Sequence, residues 1–516
     1  MIILTDEQNN IYNQLINYII NNNTNNELVL IGYAGTGKTT LITKLINEMI
    51  EDKEKYNIKK IAIVAPTHKA VNIAKSKLFE NKENISKNID IMTIHRLLNY
   101  KSYINNNGEK YFAKSKIEPN LNKYNIIVID ECSMLSNQII KDINEEIKKE
   151  INKMVKIIYV GDPAQLPPVN QKNSEIFKKN ILRLNLDKVV RTNNNFILEL
   201  STQQRKWVLS QKDEDMPKIL KYKSEDVNIY MINEKKKWLR DFIGYNKKNE
   251  NNIILTWTNK ACNEYNNYVR NKIFNKKDLE IFEKGEILIF NDYHRIIIKN
   301  NQNNEENKEE KKIISFHTSE QIKLLEFNKD NYKIEDIKTT KIKNMNDDIA
   351  LLIARNILKI NELIKENIKI LRLKIEKINI EEEKEEIYNI MMIDPVEENK
   401  YKKIQEEFEN QVNSLRESAY KRVNKLKIEE MKKTEQNDLI DKRIMKIWKD
   451  WHNNVIDVFA DINYGYSITV HKSQGSTFRN VYLDMNDIIG NRNREEVLKC
   501  IYTGITRTSK GLVIMI

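Results

Sequence analysis

The chain has 516 residues, of which 40% are hydrophobic and 31% charged, and its formal net charge is +12. That length predicts two or more domains, and the apolar fraction suffices for real cores, which excludes a disordered polyelectrolyte. The positive balance favours a polyanionic partner such as nucleic acid, although an Asn/Ile/Lys-rich composition produces it too. Cys132, Cys262 and Cys500 are scattered and form no C-x-x-C, so spacing gives neither a disulfide framework nor a zinc site. The opening Met1-Ile-Ile-Leu-Thr-Asp-Glu-Gln8 is too short an apolar run for a signal peptide, and no stretch approaches a membrane span. A soluble protein of a reducing compartment is expected.

Residues 1–195 alternate short apolar runs at 28–31, 61–65, 126–129 and 157–160 with helical patterns. Such alternation predicts a parallel sheet with helices on both faces. Between the first run and a helical pattern at 40–49 lies Gly32-Tyr-Ala-Gly-Thr-Gly-Lys-Thr39, which is G-x-x-x-x-G-K-[ST] in strand–loop–helix context. Gly32, Gly35 and Gly37 let backbone N–H groups turn inward around a phosphate, with Thr36 among them and Thr40 opening the helix. The helix presents its N-terminus to the same anion. Lys38 reaches the β/γ-phosphates, and the Thr39 hydroxyl holds Mg²⁺. A nucleoside triphosphate site follows.

The strings Ala65-Pro-Thr-His-Lys-Ala70 and Thr93-Ile-His-Arg96 follow strand ends, where α/β sheets bind ligands. They make Pro66, Thr67, His68, Thr93 and His95 candidates. Residues 99–123 carry Asn107-Gly108 between aromatic-rich arms, a hairpin pattern with Tyr100, Tyr103, Tyr111 and Phe112. Val128-Ile-Asp-Glu-Cys-Ser-Met134 places Asp130 to hold Mg²⁺ and Glu131 to act as general base. Val160-Gly-Asp-Pro-Ala-Gln-Leu-Pro-Pro-Val169 offers the Gln165 amide to a γ-phosphate and to water.

A second α/β region is expected from runs at 253–257, 467–470, 481–484 and 512–516. Residues 196–284 read as a linker and the first part of this region, and 451–516 as its remainder. Between them, four strand-like runs within 285–345 predict a small β-barrel, split by a charged loop at 300–312. Residues 346–450 read as an antiparallel helical arm. One helix has a seam of Ile353, Ile357, Ile360, Ile364, Leu371, Ile375 and Ile378; the other has Ile404, Phe408, Val412, Leu415, Ala419, Val423 and Leu426, with Asp394-Pro395 as the break.

The ordered set of motifs, completed by Tyr464-Gly-Tyr-Ser-Ile-Thr-Val-His-Lys-Ser-Gln-Gly-Ser-Thr477 and Tyr502-Thr-Gly-Ile-Thr-Arg-Thr508, resembles the superfamily 1 helicases. Its wording is closest to the 5′→3′ branch, superfamily 1B, which is Dda/RecD-like. The resemblance covers about residues 1–200, 250–340 and 460–516, and leaves the arm without a counterpart. It implies two RecA-like phosphate-loop motor domains with an inserted hairpin pin, an SH3-like barrel and an accessory arm. It also implies an enzyme that couples ATP and Mg²⁺ to the unwinding of DNA.

Carried over by motif, Gln8 would read the base and Arg191 and Arg507 would touch the γ-phosphate. Gln474 and Gly475 would lie near that phosphate. Trp257, Thr258, Asn259, His471, Ser473 and Thr477 would lie near single-stranded DNA or the domain interface. The hairpin resembles a strand-separating pin. The resemblance further implies a monomer of the cytosol of a bacterium or a phage- or virus-infected cell. It would work on single-stranded, forked or tailed DNA beside replication proteins such as a single-strand-binding protein. An RNA helicase, a translocase subunit that does not unwind, and a binding protein with a dead motor remain the competing readings.

Overall fold

The computed structural model describes residues 4–21, 26–33, 35–79, 88–105, 107–168, 171, 173–188, 195–246, 251–299, 311–338, 344–377 and 386–516. The chain divides into two compact units. The first holds residues 1–100, 114–277 and 465–516, and the second holds 101–113 and 278–464.

Two parallel sheets organise the first unit. The six-stranded sheet runs Ile89–Thr93, Ile61–Ala65, Ile126–Ile129, Lys156–Gly161, Glu27–Gly32, Leu182–Leu186. All its neighbours pair in parallel. Alternation along each strand sends side chains to two separate cores, because successive Cβ atoms point to opposite faces. Leu28, Leu30, Ile61, Ile63 and Val128 join one core, while Val29, Ala62, Val64, Ile127 and Ile129 join the other. Continuous apolar runs are what a sheet buried on both faces demands. The five-stranded sheet runs Ser467–Thr469, Asn252–Thr256, Phe478–Asp484, Thr508–Met515, Val227–Tyr230, again all parallel.

In the two parallel sheets, Leu182–Leu186 and Val227–Tyr230 lie outside the sequence expectation. Each occupies or borders a sheet edge and has polar residues among its apolar ones, so none forms a continuous apolar run.

The second unit contains an antiparallel sheet ordered Glu386–Ile393, Asn367–Lys377, Gln321–Lys333, Ile287–Phe290, Ile462–Tyr464, and a separate hairpin of His294–Lys299 with Lys311–Phe316. This corrects the reading of 346–450 as an all-helical arm. The helix Asp347–Leu363 ends near Ile364, and Leu371 and Ile375 sit in the strand Asn367–Lys377. Ile378 lies outside the described residues. The physical reason is visible in the same residues. Ile368, Ile370, Leu373 and Ile375 are buried while Lys369, Arg372 and Lys374 are exposed, a period near two in a stretch of β-branched side chains. The three-to-four spacing that links Leu371 to Ile375 coincides with that alternation over so short a run. Asp394-Pro395 does mark a boundary: Asp394 accepts from the Val396 N–H at 3.1 Å. It separates a strand from the helix Glu398–Asn424 rather than two helices.

Glu398–Asn424 and Glu430–Trp451 pair as long helices over a seam that buries Phe408, Val412, Leu415 and Ala419. The Phe408 ring stacks on Trp451 with centroids 3.8 Å apart and meets Trp448 edge-on at 5.1 Å. The hairpin consists of Tyr100–Ile104 and Lys110–Lys114. Its tip is docked within the second unit: the Gly108 carbonyl lies 2.9 Å from His452 Nε2, and Lys110 Nζ lies 2.7 Å from an Asp457 oxygen. Gly108 has φ of 85°, and a Cβ there would overlap the Trp448 ring. Gly108→Val is therefore expected to free the hairpin, read as loss of amide-exchange protection over residues 100–114. Phe408→Ala should lower the unfolding free energy by about 3–5 kcal/mol in denaturant titration, because it empties a buried aromatic site.

Candidate nucleotide and nucleic-acid site

The strand Glu27–Gly32 delivers the chain to the phosphate loop, and the helix Lys38–Glu51 leaves it. Gly35 and Gly37 have φ of 86° and 80°, the left-handed region open to glycine. A side chain at Gly37 is also excluded by packing, since a Cβ would lie 2.5 Å from Gln8 Nε2. Gln8 belongs to a capping box with Thr5 at the start of the helix Asp6–Ile20, and its amide donates to the Thr36 carbonyl at 2.9 Å. The capping box thus fixes the residue that clamps the loop.

Lys38 is half-buried, and its ammonium donates to the Gly32 and Tyr33 carbonyls, both at 2.8 Å. Burial lowers its pKa, opposed by the carboxylates of Asp162, Glu131 and Asp130. Those carboxylates come from the ends of neighbouring strands. Asp130 follows Ile126–Ile129, and its N–H donates to the Val64 carbonyl at 2.8 Å. Glu131 stands at φ 51°, ψ 42°, an uncommon conformation for a side chain of its size. Burial and the same acidic pair push the Cys132 thiol well up, so it remains a thiol.

From the other sheet comes Arg507, at the start of Thr508–Met515. It is buried and donates to the Thr503 carbonyl at 3.2 Å and the Ser476 carbonyl at 3.4 Å. A cavity of about 300 Å³ is lined by Gln8, Gly35, Gly37, Lys38, Thr39, Thr40, Asp130, Glu131, Gln165, Gly475 and Arg507. Leu4, Ala70 and Ile73 add an apolar wall. Thr477, expected near DNA or the domain interface, also lines it. Gly32, Thr36 and Gln474 are not among its lining residues. Thr36 is fully buried, and the Gln474 amide donates to the Leu166 carbonyl at 3.0 Å. Arg191 lies outside the described residues.

Oxygen donors from Thr39 and Asp130 share the cavity with Lys38, a donor set that suits a hard divalent cation such as Mg²⁺. A guanidinium and an ammonium on one cavity can stabilise charge on a transferring phosphoryl group.

The candidate nucleic-acid contacts all follow C-terminal ends of parallel strands. Pro66, Thr67 and His68 come after Ile61–Ala65, and His95 after Ile89–Thr93. Thr67 and Thr93 also cap their helices, accepting from Ala70 N–H at 3.2 Å and Arg96 N–H at 3.3 Å. Burial lowers the pKa of His68 and of His95, so both imidazoles are neutral near pH 7. Trp257, Thr258 and Asn259 follow Asn252–Thr256. Asp487 accepts from the Trp257 and Thr258 N–H groups at 2.7 and 2.8 Å. Glu496 joins Trp257 to His471: it accepts from the indole at 3.3 Å and lies 3.4 Å from His471 Nε2. Ser473, expected near DNA or the domain interface, follows the strand Ser467–Thr469. It is fully buried, and its hydroxyl donates to the Val470 carbonyl at 2.7 Å.

The four pin aromatics separate clearly. Tyr100 is engaged, donating to Asp142 and meeting His95 edge-on at 5.5 Å. Tyr103 and Tyr111 have ring centroids 5.9 Å apart. Tyr111 is 47% exposed and Phe112 is 66% exposed.

Tyr33, Asp162, Arg205, Asp487 and Glu496 were missed from sequence. Asp162 sits inside a recognised string and could have been found there; Arg205 and Glu496 lie on helices with no motif around them.

Residues 16–171 match the AAA domain family, and residues 464–515 match the UvrD-like helicase C-terminal domain family. Uncharacterized protein R530 of Acanthamoeba polyphaga mimivirus is 33% identical over 527 residues, covering 98% of each chain. The RecBCD enzyme subunit RecD of Buchnera aphidicola subsp. Schizaphis graminum is 29% identical over 505 residues, 95% of this chain and 70% of that one. Among solved structures, Pif1 helicase from Bacteroides in complex with ADP-AlF3 and ssDNA aligns with a TM-score of 0.45 at 14% identity, over 100% of this chain and 92% of that one. With an AAA domain and a UvrD-like helicase C-terminal domain matched in that order, and likeness to a RecD subunit over 95% of its length, the chain belongs to the superfamily 1 helicases of the RecD-like 1B type.

Proposed function

We propose that the protein is an ATP-driven DNA helicase that moves 5′→3′ on single strands and unwinds duplex, serving replication, recombination or repair. The observation that carries the reading is the single cavity shared by Lys38, Asp130, Glu131 and Gln165 from one sheet and Arg507 from the other.

Lys38 exchanges the two loop carbonyls for the β/γ-phosphates when a triphosphate enters. Thr39 and Asp130 hold Mg²⁺, which when bound neutralises charge on those phosphates. Glu131 accepts the proton of the attacking water, and the Gln165 amide orients that water. Arg507, and Arg191 by its motif, stabilise the charge that develops on the transferring group. Gln8 reads the base. Because Arg507 and the catalytic carboxylates belong to different sheets, the hydrolytic state requires the sheets to hold them together, and product release relaxes that demand. Lys and Arg contacts to the sugar-phosphate backbone give sequence-independent grip, to which Trp257 adds stacking. Of the pin aromatics, Phe112 and Tyr111 are the ones exposed enough to meet a base pair.

Partial duplexes with a 5′ or a 3′ single-stranded tail test polarity. Unwinding of the 5′-tailed substrate alone is expected, and activity confined to the 3′-tailed one overturns the direction. Preference for an RNA duplex of the same sequence overturns the substrate. Lys38→Ala should abolish ATP hydrolysis and unwinding while leaving much of the single-strand affinity, measured by fluorescence anisotropy. Arg507→Ala should slow DNA-stimulated hydrolysis by on the order of 10³-fold, read in a steady-state phosphate-release assay.

A further inference from the structure

We propose that Arg205 is a positioning residue: it occupies the Asp162 carboxylate so that Lys38 stays available to the triphosphate. The inference rests on the reading that Lys38 binds phosphate.

Asp162 stands at the end of Lys156–Gly161, the strand beside the phosphate-loop strand, and its side chain is wholly buried. Both its oxygens are engaged. Oδ1 accepts from Arg205 Nε at 3.1 Å and from the Ala164 N–H at 3.1 Å, and Oδ2 accepts from the Tyr502 hydroxyl at 2.6 Å. Arg205 itself is buried on the helix Asn195–Ser210, and its guanidinium carbon lies 3.9 Å from the centre of the Tyr33 ring. Tyr33 is one of the two residues whose carbonyls hold the Lys38 ammonium. One guanidinium therefore touches both the acid that competes for Lys38 and the residue on which Lys38 rests.

The competition is physical. The parallel register of Ile31 with Gly161 sets Asp162 beside Gly32, whose carbonyl holds the Lys38 ammonium, and Asp162 is one of the carboxylates acting on that charge. Two opposite charges out of water attract far more than they do in solvent. A buried carboxylate left without its own cation would capture the lysine. Neutral carbonyls release an ammonium to an incoming phosphate, whereas a buried carboxylate resists release. Arg205 suits the task because its guanidinium keeps its charge when buried and can stack on a ring while donating in its own plane. Tyr502 ties the same carboxylate to the helix Arg494–Ile505, which ends two residues before Arg507.

The test is the affinity of the full chain for a fluorescent ATP analogue, with single-strand affinity as a folding control. Arg205→Gln is expected to weaken nucleotide binding by on the order of tenfold. Adding Asp162→Asn to that chain should restore affinity to within about threefold of the parent, because the competitor is gone. A role in packing alone predicts no such rescue, so a double variant as weak as Arg205→Gln overturns the proposal. If Arg205→Gln does not fold, Asp162→Asn alone decides: unchanged or tighter binding supports the proposal, and a tenfold loss overturns it. Failure of the underlying reading is distinct, because then the unsubstituted protein binds no nucleotide at all.

Discussion

A half-buried lysine ammonium resting on two backbone carbonyls is the constraint around which the first unit is organised. Burial destabilises that charge, and three nearby carboxylates offset the cost without any of them forming its resting contact. The site is thus prepared for an anion that is not part of the chain. Every neighbouring feature follows from keeping that preparation intact: Gly37 makes room for Gln8, Gln8 clamps Thr36, and Arg205 takes up Asp162.

The parallel sheets explain why so many functional side chains come from separate places in the sequence. Each strand of such a sheet ends on the same side, so the residue after each strand arrives at a common edge. Asp130, Asp162 and Lys38 share an edge although strands and helices intervene between them in the chain. The second sheet repeats the device with Trp257 and His471. Contacts such as Gln474 to the Leu166 carbonyl, and Tyr502 to Asp162, join groups that follow strands of the one sheet to groups belonging with the other. A nucleotide that draws on both sheets acts on a region already linked.

The second unit obeys a different constraint. Its hairpin is short and highly polar, and two such strands alone are marginal in water. Docking of the Gly108 turn onto Trp448 and His452 supplies the missing support. That docking occupies the tip and leaves Phe112 on the flank as the most exposed aromatic of the hairpin.

Whereas Arg507 came from the resemblance alone, sequence by itself pointed to the phosphate loop, the Asp130-Glu131 pair, Gln165 and the parallel α/β class. These depend on local chemistry: glycines where the backbone must turn left-handed, apolar runs where both sheet faces are covered, carboxylates at strand ends. It also located the four runs of 285–345 that form strands, because alternation is a local property. Only the tertiary structure decided that Asn367–Lys377 and Glu386–Ile393 are paired strands, since Leu371 and Ile375 satisfy helical and extended spacing alike until a partner strand is present. Only the structure found Arg205, whose partners Tyr33 and Asp162 are distant in sequence, and buried Ser473. A residue defined by what it touches after folding leaves no periodic or spaced pattern in the chain.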